Sequence, residues 1–174
     1  SANSMRPQRF RARSLIGLLK QQQIATLQEL KVALGSSVDM TVFRKLREVD
    51  YCTSYSHSGK FYALKNVARF DARGLWSCRD VRFSRVGSLL DTAEHFVVSS
   101  EGGKLASELA AELGVEVKDP LLHLVRAGRL SREEVSGLFV YCCPEPSKRR
   151  QQLLARSIPA ARHPYAPMWD PTAV

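Results

Sequence analysis

The sequence predicts a mainly α fold with small β hairpins (α+β), built from two copies of one module. Three observations carry this. Apolar residues recur at helical spacing in several short runs. Each set of runs closes on an alternating stretch split by a turn. The chain also matches itself at an offset of about 79 residues. Glu29-Leu30 falls on Glu108-Leu109, Leu34-Gly35 on Leu113-Gly114, and Val42-Phe43 on Leu121-Leu122. Leu46 falls on Val125, Arg47 on Arg126 and Phe61-Tyr62 on Val140-Tyr141, with no gap across the block.

The elements of the first copy follow in order. ARSLIGLLKQQ, residues 12–22, puts Leu15, Leu18 and Leu19 on one helical face. Thr26 is a good N-cap for LQELKVALG, with Glu29 three residues on and Gly35 as the stop. Ser37 or Asp39 suits the cap of a third helix running to about Val49. Its buried stripe is Val42, Phe43, Leu46 and Val49; Thr41, Arg44, Lys45 and Glu48 point away, with Arg47 on the flank. YCTSYS and KFYALK alternate around HSG, which predicts a hairpin.

At TLQELKVALG, the turn SSVD, the helix MTVFRKLREV and the hairpin YCTSYSHSGKFYAL, the chain resembles the winged helix-turn-helix superfamily. The resemblance covers about residues 12–65 and, more weakly, 88–143, so it implies tandem winged-helix domains. It implies that the third helix enters the DNA major groove while the wing touches flanking backbone. The run FYALKNVARFDARGLWSCRDVRFSRVGSL also looks like that of uncharacterised prokaryotic proteins, some tied to mobile elements.

Charge divides the chain in the same direction. The net charge is +9. Residues 1–84 hold 15 Lys or Arg against 6 Asp or Glu, residues 85–146 hold 6 against 10, and residues 147–174 hold 5 against 1. A basic first half suits a polyanion such as nucleic acid; the plain alternative is a solvated surface that aids solubility. The expected DNA-binding residues are Thr41, Arg44, Lys45 and Arg47 on the third helix, and His57, Ser58 and Lys60 at the wing tip. Arg44 is the candidate base reader, because a guanidinium bonds guanine bidentately; Lys45 and Arg47 suit phosphates. Arg9, Arg11 and Arg13 are expected to form a phosphate-contacting arm ahead of the first helix.

In the second copy Thr41 becomes Pro120, Arg44 becomes His123 and Lys45 becomes Leu124, while Glu116 and Asp119 precede the helix. Phosphates are repelled there. An exposed Leu124 beside His123 is expected to serve a protein interface, as a homodimer contact or for another partner, or to pack against the first module. His123 itself reads as a solvated helix residue. Arg129 and Arg132 in RLSREEVSGLFVYC remain candidates for backbone contact.

Between the copies, residues 66–87 carry Phe70, Leu75, Trp76, Val81 and Phe83, too dense in apolar rings for a flexible linker. DARG reads as a turn and VRFS as a short strand, and the segment is expected to clamp the two modules. Arg79, Arg82 and Arg85 extend the basic surface or form the solvated face of that strand. Residues 147–157 read as a basic helix, and the prolines after Ser157 are expected to break it. Tyr165, Met168 and Trp169 could anchor the tail on this chain or on a second subunit.

The organisation expected is thus a cloning remnant and basic arm at 1–11, a basic module at 12–65, and a connector at 66–87. An interaction module at 88–143 and a basic helix with a Pro-rich tail at 144–174 follow. No P-loop, dinucleotide-binding glycine pattern, HExxH or zinc-type cysteine pair is present. Catalysis, a metal and a cofactor are therefore not expected. Cys52, Cys78, Cys142 and Cys143 read as free thiols of a cytoplasmic, nucleoid-associated protein, and no apolar run reaches membrane length. The function expected is double-stranded DNA binding, sequence- or structure-specific, by a transcriptional regulator or an accessory factor of a DNA transaction. RNA is not separated from DNA by sequence. The alternative is a protein-interaction scaffold, like the tandem winged helices of chromosome-condensing complexes, whose surfaces bind protein. An outward-facing FRKLR favours DNA.

Overall fold

A computed structural model describes residues 10–162, with side chains as far as Ser157. The chain is α+β, with seven α-helices and small antiparallel sheets among those residues. It divides into two compact units, at Leu89/Leu90.

Unit 1 begins with helix α1 (Ala12–Gln22), which buries Leu15 and Leu19 completely. Strand β1 (Ala25–Thr26) leads directly into α2 (Leu27–Leu34). Thr26 Oγ1 accepts from Glu29 N at 3.2 Å and Thr26 N donates to Glu29 Oε1 at 2.8 Å, so the expected capping box forms. Gly35 ends α2 with φ +83°, a left-handed conformation that any Cβ would strain. Helix α3 (Asp39–Leu46) buries Thr41, Val42 and Leu46 and rests Phe43 and Val49 against the core. It is shorter than expected, because the chain turns at Arg47 rather than Val49. Neither Ser37 nor Asp39 caps it. Val38 holds the N-cap position without a side-chain bond, and Asp39 pairs with Lys31 on α2. Strands β2 (Tyr51–Thr53) and β3 (Phe61–Leu64) form the hairpin, in sheet order β1-β3-β2.

The connector is a second hairpin of unit 1, β4 (Leu75–Cys78) and β5 (Val81–Ser84). Asp71 organises the turn before it, its Oδ1 accepting from Arg73 N and Leu75 N at 2.8 and 3.0 Å. Phe83 is fully buried with Ile24, Cys52, Ala63, Cys78 and Val81, and Trp76 packs on it. The two hairpins are laced together: Tyr55 N donates to Arg82 O at 2.8 Å, and Arg82 N donates to Ser56 Oγ at 2.8 Å.

Unit 2 repeats the order of elements. Helix α4 (Leu89–Ser99) is followed by β6 (Lys104–Leu105), α5 (Ala106–Leu113), α6 (Lys118–Arg126), β7 (Ser131–Val135) and β8 (Leu138–Cys142). Its sheet order is β6-β8-β7. The register agrees with the offset read from sequence: Ala25 pairs with Tyr62, and Lys104 pairs with Tyr141, 79 residues further on. Gly114 caps α5 at φ +71° as Gly35 caps α2. Only half of the capping box survives, since Leu105 has no oxygen to offer: Leu105 N still donates to Glu108 Oε1 at 2.8 Å.

Among its described residues unit 2 has no second hairpin and is closed instead by α7 (Pro146–Arg162). Gln152 is fully buried, accepting from Cys143 N at 2.8 Å and donating to Val97 O and Ser100 O, each at 2.9 Å. Arg156 donates to Glu108 Oε1 at 2.6 Å and to Gly102 O at 2.8 Å. The prolines after Ser157 do not stop this helix, which runs through Pro159 to Arg162. Tyr165, Met168 and Trp169 lie outside the described residues. All four cysteines are buried and free. Among the described residues no helix is long and apolar enough to cross a membrane.

Candidate nucleic-acid interface

An eight-residue helix shows solvent only the side chains that its core-facing stripe leaves over. On α3 that stripe is one residue further round than the sequence suggested. Thr41 is buried, at 9% exposure, and cannot reach a groove. Lys45, one turn on from Thr41, is also drawn inward: its side chain is 20% exposed and its Nζ meets Glu48 Oε2 at 3.1 Å. The outward stripe is Met40, Arg44 and Arg47, spaced four and three residues apart and all exposed. Among the described residues neither Arg44 nor Arg47 has an ion-pair partner. Both side chains are available to an outside anion.

The repeat carried the signal for this rotation. Position 45 of the first copy is Leu124 in the second, and an apolar residue there marks an inward-leaning site. Leu124 is indeed fully buried, which overturns its expected role in an exposed protein interface. The exposed stripe of α6 is Asp119, His123 and Arg126, the positions matching Met40, Arg44 and Arg47. Sequence reasoning missed Met40, at 58% exposure, because it sits one position before the misassigned Thr41.

At the hairpin tip His57, Ser58 and Lys60 are all exposed. His57 and Ser58 both take positive φ, 54° and 55°, and Gly59 follows at 70°. Two non-glycine residues in this region store strain that the surroundings must hold. Ser56 Oγ lies 2.8 Å from His57 Nδ1, and the imidazole meets the Phe61 ring edge-on at 5.3 Å. The tip is thus a braced loop that ends in Lys60, for which the described residues include no acidic partner.

Of the proposed arm, Arg9 lies outside the described residues. Arg11 is the exposed N-cap of α1, and Arg13 is inside the helix's first turn rather than ahead of it.

The additional cations are mostly engaged in holding the fold. Arg79 occupies the turn between β4 and β5 at φ 54°, and its Nη2 donates to Gln22 O at 2.9 Å, at the carboxyl end of α1. That is a C-terminal cap with a favourable charge on the helix dipole. Arg82 is half-buried and hydrogen-bonds the Tyr55 hydroxyl, whose pKa burial pushes up against that interaction. Arg85 lies over the Phe70 ring at 5.7 Å. Arg129 precedes β7 and is held by Glu94 at 2.6 Å and Asp91 at 2.7 Å, so it is not a spare wing cation. Arg132 stacks on Phe139 at 4.2 Å.

Unit 2 exposes apolar surface at a different place from the one expected. Val135, Leu138 and Phe139 at the β7–β8 tip are 39%, 56% and 47% exposed. Leu138 and Phe139 continue into a groove of about 490 Å³ with Leu105, Ala110, Val117 and Tyr141. The described residues contain no His, Cys, Asp and Glu cluster able to hold a metal ion.

Comparisons with protein-family models, with curated proteins and with solved structures find no match for this chain.

Proposed function

We propose that the chain is a tandem winged-helix protein that binds double-stranded DNA through unit 1. Its role is that of a transcriptional regulator or an accessory factor of a DNA transaction in the nucleoid. The observation that carries the reading is the exposed, unpaired Arg44 and Arg47 on the third helix of the more basic unit. Arg44, in the last turn of α3 and one turn on from Met40, would read guanine; Arg47, at the helix's C-cap, would meet phosphate. Lys60 at the strained hairpin tip, with Arg11 and Arg13 at the start of α1, would hold flanking backbone. Thr41 and Lys45 have no part in this revised interface.

Unit 2 supports a second activity in the same protein. Its α6 stripe carries an acid and one arginine, while its hairpin tip is apolar. That surface suits a protein, either a second copy or another factor, and not phosphate. Binding of mixed-sequence duplex DNA, measured by fluorescence anisotropy, tests the main reading. A Kd that does not respond to Arg44→Ala would remove it in favour of the scaffold.

A further inference from the structure

We infer that Met40 is a second base-reading residue, which packs on the 5-methyl group of thymine beside a guanine bound by Arg44. The inference rests on the DNA reading above and adds to it the chemistry of the target site.

A single exposed methionine is ordinary. Here three large apolar side chains are exposed around one helix–turn–helix: Val32 at 72%, Val38 at 54% and Met40 at 58%. They lie in the more basic of the two units, on a helix–turn–helix, residues 26–50, that itself holds four Lys or Arg against four Asp or Glu. Unit 2 provides the internal control. At the matching positions it has Ala111, Val117 and Asp119. Val117 is 2% exposed, because its backbone turns in at ψ 1° where Val38 stays extended at ψ 119°. So the unit whose stripe is charge-balanced covers its apolar residue, and the unit with an arginine stripe exposes its own.

Geometry then pairs Met40 with Arg44. Four residues of helix rise about 6 Å, and base pairs stack about 3.4 Å apart. The two side chains therefore address base pairs one or two steps apart in the major groove. An unbranched thioether on the first turn of α3 can seat on a methyl group and offers no strong donor or acceptor to any other base edge. The thymine 5-methyl is the one apolar group that the major groove presents.

The test removes thymine methyl groups and nothing else. Duplexes enriched by the wild-type protein from a random pool are remade with deoxyuridine in place of thymine. The wild type should bind the deoxyuridine form about fourfold more weakly, the value of one buried methyl group. Met40→Ala should bind the thymine form weakly and treat both forms alike. Arg44→Ala should lose affinity yet keep the thymine preference. Equal wild-type binding of both forms overturns the role of Met40 and leaves DNA binding intact. So does a thymine preference that survives in Met40→Ala. No duplex binding at all, or no enrichment of any sequence, overturns DNA reading itself. Circular dichroism of Met40→Ala separates these outcomes from misfolding, and its exposed position predicts an unchanged spectrum.

Discussion

On α3 the exposed stripe is Met40, Arg44 and Arg47; on α6, 79 residues later, it is Asp119, His123 and Arg126. The two helices occupy matching places in the same order of elements, yet one presents two cations and the other a balanced pair beside a histidine. The reinforcement differs as well. Unit 1 is closed by the β4–β5 hairpin, laced to the loop at Tyr55 and Ser56, and unit 2 by α7, bonded through Gln152 and Arg156. A shared framework therefore leaves both the outward stripe and the bracing element free to vary. Function has to be argued from the stripe, not from the framework.

The comparison is most easily broken on the stripes. Arg44→Ala/Arg47→Ala should weaken duplex binding by about tenfold or more and flatten its salt dependence, since it removes the proposed base reader and the proposed phosphate contact. The mirror change in unit 2, Arg126→Ala, should alter Kd by less than about twofold. Equal losses in both units, measured by anisotropy, would erase the distinction between them.

The bracing elements give the next largest effect. Gln152→Leu leaves Cys143 N and the carbonyls of Val97 and Ser100 without their buried partner. It should cost about 2–3 kcal/mol in urea unfolding. Among the described residues unit 1 has no counterpart to this contact, so the loss should fall on unit 2 and leave the proposed duplex binding by unit 1 unchanged. Loss of binding in step with unfolding of unit 2 would contradict that separation.

The capping boxes differ by half, and Thr26→Ala should cost about 1 kcal/mol because it reduces the complete box to the half that unit 2 keeps. Acid tests both boxes together. Glu29 lies below its ordinary pKa chiefly through the bond from Thr26 N. Burial alone would raise Glu108, but hydrogen bonds from Arg156 and Leu105 N outweigh it and leave its pKa lowered. Carboxylates lowered on folding contribute stability that is present above the unfolded value, 4.5, and is lost as pH falls through the folded value. Chemical denaturation across pH 6 to 3 should show stability falling below about pH 4.5. Glu29→Gln, which removes the titrating carboxylate, should have a shallower fall, and an unchanged slope would argue against the box. The smallest effect concerns thiols. Burial pushes Cys52 and Cys142 up to about 11, so native protein at pH 8 should react with a maleimide far more slowly than unfolded protein.

Much of the architecture was legible before any coordinates. The Leu15 and Leu19 face, the Thr26–Glu29 box, the Gly35 stop and the 79-residue register each leave a local mark in residue type. What was not legible was rotation and partnership. Thr41 is polar and small, so nothing in its type says that the core side of α3 takes it in, and Lys45 follows it by helical spacing. The sequence placed Arg79, Arg82 and Arg129 among spare cations because their partners, Gln22, Tyr55 and the Asp91–Glu94 pair, lie 27 to 57 positions away. The expected break after Ser157 failed because a single proline can be carried within a helix that is docked elsewhere along its length.

The central claim is that α3 of unit 1, through Arg44 and Arg47, is the DNA-facing element. Its most direct measurement is the salt dependence of duplex binding for wild type, Arg44→Ala/Arg47→Ala and Arg126→Ala, side by side. The account predicts a steep wild-type slope, a shallower slope with lower affinity for the unit 1 variant, and a wild-type slope for Arg126→Ala. Superimposable curves for all three proteins, or no binding at low salt, would contradict it.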